Sequence, residues 1–220
     1  MNPPPQTLVQ QTAAYVKTKL LNEPTGHDWY HIERVWKMAK RIQKQEGGDL
    51  ELIELAALLH DLGDYKQYEF NELKGSLILR GMMDVLGIEK EMEEKIIKII
   101  DESQFNGNET KVPSTLEGKI IQDADWLEAL GAIGIARTFA TGGYIHRIIH
   151  DPKRKPRRKM SKRDYQMRKQ EGTSVNYFYE KAFKLPKIMN TKTGREIAMK
   201  REHFLKNYLD EFQAEWEGER

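Results

Sequence analysis

The sequence predicts an all-α fold, a compact bundle of about eight to ten helices, on three observations. Apolar residues recur at three- and four-residue spacing through most of the chain. Capping side chains and glycines break those runs at ordinary helix lengths. No stretch alternates apolar and polar residues for long enough to mark a strand, and neither a hairpin signal nor an internal repeat is visible. At 220 residues and 25.7 kDa, the chain suits one domain over 1–220 with one substantial core.

Residues 1–6 are rich in proline and read as a disordered tail. Leu8, Val9, Ala13, Val16 and Leu20 then mark a first helix, which Asn22-Glu23-Pro24-Thr25-Gly26 ends. A second helix starts near Asp28, a good N-cap, and runs toward Gly47-Gly48 with His31, Val35, Met38 and Ile42 on one face. The third spans Asp49 to Leu62, with Leu52, Leu55, Ala56 and Leu59 on one side and Gly63 as its stop. Leu77, Met82, Val85 and Leu86 predict a fourth ending at Gly87, and Glu89 to Glu102 a fifth whose core side is Ile96, Ile97, Ile99 and Ile100.

Ser103 to Pro113 is polar and glycine-bearing, so it reads as a loop. Ser114 to Glu117 has the Ser-x-x-Glu spacing of a capping box, in which side chains satisfy the open N–H groups of a helix start. The helix it opens carries Ile120, Ile121, Asp125 and Leu127, and the pattern continues past a break near Gly131 to Gly142-Gly143. The stretch 143–172 is read as a connection, strongly basic from Lys153 to Lys169, exposed and mobile. Ser174 to Phe183 and Gly194 to Trp216 are the last helical segments, the final one with Ile197, Phe204, Leu205, Tyr208, Leu209 and Phe212 on its core side.

Composition narrows the function. A net charge of +2 makes no global demand for a nucleic-acid partner. The run Lys153 to Lys159 has little aromatic interleaving, so a solvated basic loop is the better reading of it. There is no cysteine, which excludes disulfides and thiolate metal sites. Met1 to Gln6 has neither the basic nor the apolar part of a signal peptide, and no apolar run approaches a membrane span. A cytoplasmic protein without a membrane partner is expected. Oligomeric state stays open between monomer and homodimer, since the apolar positions of the last helix fit a core or a dimer surface equally.

The chemistry points to Leu55-Ala56-Ala57-Leu58-Leu59-His60-Asp61-Leu62-Gly63-Asp64, where an apolar helix runs into two adjacent ligand-type side chains. Burying them is costly unless something pairs with them, and a divalent ion is one solution. The dipeptide alone is weak, because His-Asp recurs at 27/28 and 150/151. Further candidate ligands strengthen it: His31, with Val35 one turn on, and Asp125, with Ile121 one turn back, also sit on inward faces. Two imidazoles and two carboxylates suit one divalent ion, with Mn²⁺, Fe²⁺, Co²⁺ or Ni²⁺ more natural than Mg²⁺.

His31 with Ile32-Glu33-Arg34-Val35, then His60-Asp61, then Asp123-Ala124-Asp125-Trp126-Leu127 resembles the H…HD…D signature of the HD-domain superfamily of metal-dependent phosphohydrolases. Gly26-His27-Asp28-Trp29-Tyr30-His31, residues 116–125, residues 131–139, Tyr177-Phe178-Tyr179-Glu180-Lys181 and Thr191-Lys192-Thr193-Gly194 are similar to its YpgQ-like single-domain branch, over about Tyr15 to Trp216. The resemblance implies a compact HD helical bundle, His31, His60, Asp61 and Asp125 as metal ligands, and attack of a metal-activated water on phosphorus. In that pattern the last ligand precedes x-Leu, which selects Asp125 over Asp123. Asp123 then reads as a carboxylate on the helix surface or behind the ligands, with Arg34 as a candidate partner.

Asp64 matches a position where related enzymes place an acidic, proton-handling residue, and Arg34 is the strongest catalytic cation, on nearly the same face as His31. His27, Lys66, Lys74, Arg137 and Lys181 are the remaining candidates for substrate contact. No histidine lies between Asp61 and Asp125, so the extra ligands of binuclear HD phosphodiesterases are missing and a single ion is expected. The expected substrate is a nucleotide or another small phosphorylated metabolite, with nucleoside triphosphate pyrophosphohydrolysis as the specific expectation. The alternative is an HD module that senses a nucleotide without turnover.

Overall fold

The structure is a computed structural model that describes residues 6–21, 26–62, 72–167 and 172–220. Among these residues every regular element is helical, and no strand occurs. The chain forms two compact units, one of residues 1–104 and 112–122, the other of 105–111 and 123–220.

In the first unit, α1 (Leu8–Leu20), α2 (Trp29–Glu46) and α5 (Lys90–Ser103) surround α3 (Leu50–Leu59). Seven of the ten α3 residues are buried, which suits a helix that its neighbours surround. Each start is chemically marked. Thr7 and Gln10 form a reciprocal capping box on α1, the Asp28 carboxylate accepts the His31 N–H at 2.8 Å, and Asp49 accepts the Leu52 N–H at 3.1 Å. The third helix ends at Leu59, three residues before its expected limit, and Gly63 lies outside the described residues. His60 to Leu62 continue as a turn closed by the Leu62 N–H on the Leu59 carbonyl at 3.1 Å. The fourth helix, α4 (Glu72–Val85), turns Leu79 and Met83 inward, while Leu77 and Val85, two of the residues that mark it in the sequence, face water. The side chains of α5 follow the expected pattern, with Ile96, Ile97, Ile99 and Ile100 buried.

Helix α6 (Leu116–Leu127) does not use the expected Ser114–Glu117 box. Thr115 Oγ1 accepts the Gly118 N–H at 3.1 Å, while Ser114 binds Glu102 and the Glu117 carboxylate accepts the Asp49 N–H at 3.0 Å. The box residues are thus spent on tertiary contacts, and the next hydroxyl along takes the cap.

In the second unit, α7 (Gly131–Tyr144) packs on α9 (Ser174–Glu180) and on the long α11 (Lys192–Trp216), with α10 (Leu185–Ile188) beside the latter. Phe139, Phe178, Tyr208 and Phe212 form a ring cluster at 5.9–6.4 Å between Phe139 and the other three. Gly131 takes φ +68°, which breaks the helical run where the sequence placed a break. The basic stretch is tied down over much of its length. Met160 is buried, and its N–H donates to Asn108 Oδ1 while its carbonyl accepts the Asn108 N–H at 2.9 Å. Arg157 N–H and Asn176 Nδ2 add bonds to Glu180 and to the Arg154 carbonyl. A short α8 (Lys162–Met167) follows.

Candidate metal centre

The end of α3 and the start of α2 bring His27, His31, His60 and Asp61 together in the first unit. Asp61 is the hub. Its Oδ2 lies 2.8 Å from His27 Nδ1 and 3.3 Å from His31 Nε2, and its Oδ1 lies 3.5 Å from His60 Nε2. His27, His31 and Asp61 each offer a ligand atom within 4.8 Å of the others, a spacing one cation could bridge. The rings meet edge to face, His27 on His31 at 5.3 Å and His31 on His60 at 5.4 Å. His31 is fully buried and Asp61 nearly so, whereas the His27 side chain keeps 35% exposure. The cluster therefore opens to solvent on the His27 side.

Two local features prepare the donors. His60 Nδ1 sits 2.8 Å from the Ala57 carbonyl, which can only accept, so Nδ1 carries a proton and Nε2 is the ring atom turned toward Asp61. With Nδ1 anchored in this way, Nε2 is the atom that would meet a metal ion. At Asp61, burial opposes the charge, but the nearby His60 and His27 and hydrogen bonds from His27 and His31 outweigh it and hold the carboxyl well below its ordinary value of 3.8. The carboxylate is therefore ionised and ready to bind a cation. This donor set of imidazole nitrogen and carboxylate oxygen fits a borderline divalent ion.

Asp125 stands half-buried near the end of α6, in the second unit, four residues after the fully buried Ile121. Asp123, two residues earlier, corrects the sequence reading of a surface or ligand-backing carboxylate. It is fully buried and anchors the start of α11. Its Oδ1 accepts from Asn190 N and Nδ2 at 2.9 Å each, and its Oδ2 from Thr191 N and Oγ1 at 2.7 Å each. Burial pushes this carboxyl up against the pull of those four bonds. Thr191 Oγ1 also accepts the Gly194 N–H, and a Cβ on Gly194 would come within 2.4 Å of Asp123 Oδ2. That contact explains the Thr191-Lys192-Thr193-Gly194 motif: the glycine admits the carboxylate. Asn190 carried no signal in the sequence.

The remaining candidates are dispersed. Arg34 is half-buried on α2, three residues after His31, and Lys74 is exposed on α4. Arg137 donates Nη1 to the Glu128 carbonyl at 3.3 Å, and Lys181 Nζ lies 4.8 Å from the Phe105 ring centre, both within the second unit. Asp64 and Lys66 lie outside the described residues.

The HD domain family matches residues 28–130, a span that contains His31, His60, Asp61 and Asp125. The uncharacterized protein YpgQ of Bacillus subtilis (strain 168) is 33% identical over 212 residues, which covers 95% of this chain and 94% of that protein. The chain belongs to the HD-domain superfamily. Solved structures are similar over nearly the whole chain. A protein from Lactobacillus plantarum matches with a TM-score of 0.86 at 35% identity, covering 97% of this chain and 99% of that one. An HD-superfamily hydrolase from Bacillus thuringiensis matches at 0.70 and 38% identity, covering 95% and 96%. YpgQ crystallised in complex with ADP matches at 0.70 and 31% identity, covering 94% and 97%. The compact helical HD fold of the sequence reading is the fold observed. No described helix is long and apolar enough to cross a membrane.

Proposed function

We propose that this HD protein is a metal-dependent phosphohydrolase of nucleotides, and that its specific reaction is nucleoside triphosphate pyrophosphohydrolysis, acting as one domain on one ion. The observation that carries the reading is the His31–His60–Asp61 cluster, with the Asp61 carboxyl held well below its ordinary value and His60 Nδ1 anchored on the Ala57 carbonyl. The ADP complex of YpgQ supports a nucleotide as the substrate class. His31, His60, Asp61 and Asp125 are the proposed ligands, and all four lie inside the HD family match. A divalent ion bound there would supply a water of lowered pKa and a counter-charge for the phosphoryl oxygens.

The chain's own groups do the rest. His27 holds Asp61 Oδ2 from the solvent side and stands where an incoming phosphate would arrive. Arg34, a turn below His31, offers a fork of donors to a phosphoryl oxygen. Asp64, just past the ligands in sequence, moves the proton between the attacking water and the leaving group. Arg137 and Lys181 are the outlying cations, and Lys66 is the nearest to Asp64 in sequence.

The test is a panel of nucleoside mono-, di- and triphosphates and simple phosphate esters with Mn²⁺, Co²⁺, Ni²⁺ or Mg²⁺, with pyrophosphate and orthophosphate measured separately. Monophosphate and pyrophosphate from triphosphates is the expected result. Orthophosphate alone would reassign the leaving group, and tight nucleotide binding with no turnover would make the chain a sensor.

A further inference from the structure

The chain that leads out of α7 keeps its backbone bonded and turns side chains outward. Ile145, His146 and Arg147 donate their N–H groups back to the Thr141, Gly143 and Gly142 carbonyls at 3.1, 3.1 and 2.8 Å, and His146 takes the left-handed region at φ 58°. A non-glycine residue there is uncommon, which marks the turn as one that the fold holds in place. Beyond it the chain runs beside α9 and bonds to it in step. The Ile148 and Ile149 carbonyls accept the Ser174 and Val175 N–H groups at 3.0 Å each, and the Arg154 carbonyl accepts from Asn176 Nδ2. The Arg157 N–H donates to Glu180, and the Arg158 carbonyl accepts from Lys184 Nζ. Both sets of partners rise in number together, so residues 148–158 lie as a strap along residues 174–184, all within the second unit.

What this segment shows to solvent changes along its length. At its start Tyr144, Ile148 and Ile149 are 54%, 44% and 55% exposed, three large apolar side chains close together in sequence. Past Pro152 come Lys153, Lys155, Arg158 and Lys159, all exposed and without an acidic partner among the described residues, whereas Arg154 and Arg157 are taken by Asp151 and Glu180. Four such cations call for an anionic partner, and the isoleucines decide its kind. Single-stranded nucleic acid brings bases that stack on flat rings, which branched aliphatic side chains do not offer. The surface of an anionic bilayer answers both halves. It has headgroup phosphates for the cations, and a headgroup–acyl boundary that takes in isoleucine and the amphipathic tyrosine ring. Lying on a bilayer takes no spanning helix, so short apolar runs do not exclude a membrane partner of this kind.

We propose that residues 144–159 form a docking face for anionic phospholipid, in which Tyr144, Ile148 and Ile149 enter the headgroup–acyl boundary while Lys153, Lys155, Arg158 and Lys159 meet the phosphates. Neither half is enough alone. A few partly inserted side chains give weak attachment, and each cation near an anionic surface strengthens it about fivefold. Docking is therefore reversible and weakens as salt rises. The bonds to α9 hold the strap in one shape beforehand, so little ordering is left for the membrane to impose.

Flotation of the full chain with lipid vesicles at low salt tests this. Binding to mixed phosphatidylcholine and phosphatidylglycerol vesicles is expected, and none to phosphatidylcholine alone. Lys153→Gln, Lys155→Gln and Lys159→Gln combined should weaken binding about 100-fold. Ile148→Ser with Ile149→Ser should weaken it about tenfold or more. Both variants are expected to keep the wild-type melting curve, because every substituted position is exposed. A labelled single-stranded oligonucleotide is titrated in parallel. No flotation with the anionic vesicles overturns the proposal, and so does equal binding to neutral ones. Flotation that the isoleucine variant retains in full overturns it as well. Oligonucleotide binding that depends on the lysines, with no vesicle binding, would overturn it by assigning the face to nucleic acid.

Discussion

Asp123 and Asp125 sit two residues apart on one helix, and exchanging each for asparagine should break different things. In Asp123→Asn, one carboxylate oxygen becomes an NH₂ group that faces donors from Asn190 or Thr191. The side-chain donors can turn away, but one backbone N–H is left without an acceptor, at a cost of about 1–3 kcal/mol. For a chain of this size each kcal/mol lowers the melting temperature by roughly 2–4 °C, so a drop on the order of 5 °C is expected. Metal content should stay at the wild-type level. Asp125→Asn should do the reverse, losing the ion while the metal-free protein melts within about 1 °C of wild type. The melting comparison is made on chelated protein, because a bound ion would add stability of its own. Gly194→Ala, which presses a methyl group against Asp123 Oδ2, should copy the Asp123→Asn melting shift. Elemental analysis showing that Asp123→Asn loses the ion while melting normally would refute the assignment. So would Asp125→Asn lowering the melting point as far as Asp123→Asn does.

Three further outcomes are expected. His27→Ala removes the bond to Asp61 Oδ2, and titration calorimetry should find metal affinity weakened about 10- to 100-fold with the stoichiometry still one. Asp64→Asn should cut turnover strongly and leave metal content intact; unchanged turnover would remove Asp64 from the mechanism. Acid titration should separate the two buried aspartates. Asp61 is held below 3.8 by its histidines, so its contribution to stability is present above pH 3.8 and is lost as pH falls through its folded value. Asp123 is pushed above 3.8 by burial, so its contribution is full below pH 3.8 and lost as pH rises through its folded value. Denaturant melts of metal-free Asp61→Asn should therefore lack the acid-side loss seen in wild type, and a parallel fall in both would show that the Asp61 charge is not held in the folded state.

The helices were largely legible because their signals are local. Asp28 and Asp49 cap the starts that they mark in the sequence, and the apolar spacing of α5 is the spacing that it buries. What failed was the choice between groups that a local rule treats alike. Ser114 and Thr115 are both capping hydroxyls, and only the tertiary bond from Ser114 to Glu102 leaves the cap to Thr115. On α4 the apolar residues outnumber what one face can bury, so periodicity had no means of telling Leu77 and Val85 from Leu79 and Met83.

The same limit explains Asp123. A helical wheel distinguishes inward from outward, and Asp123 is as fully inward as a ligand would be. What separates the two roles is the kind of partner. Four donors at one helix start saturate both oxygens of Asp123, whereas Asp61 faces three imidazoles, which can exchange their hydrogen bonds for a shared cation. A buried carboxylate facing backbone N–H groups is committed to the fold, and one facing histidines is available to chemistry. Replacing the Asn190–Thr191 donors should therefore cost stability and leave the metal content unchanged.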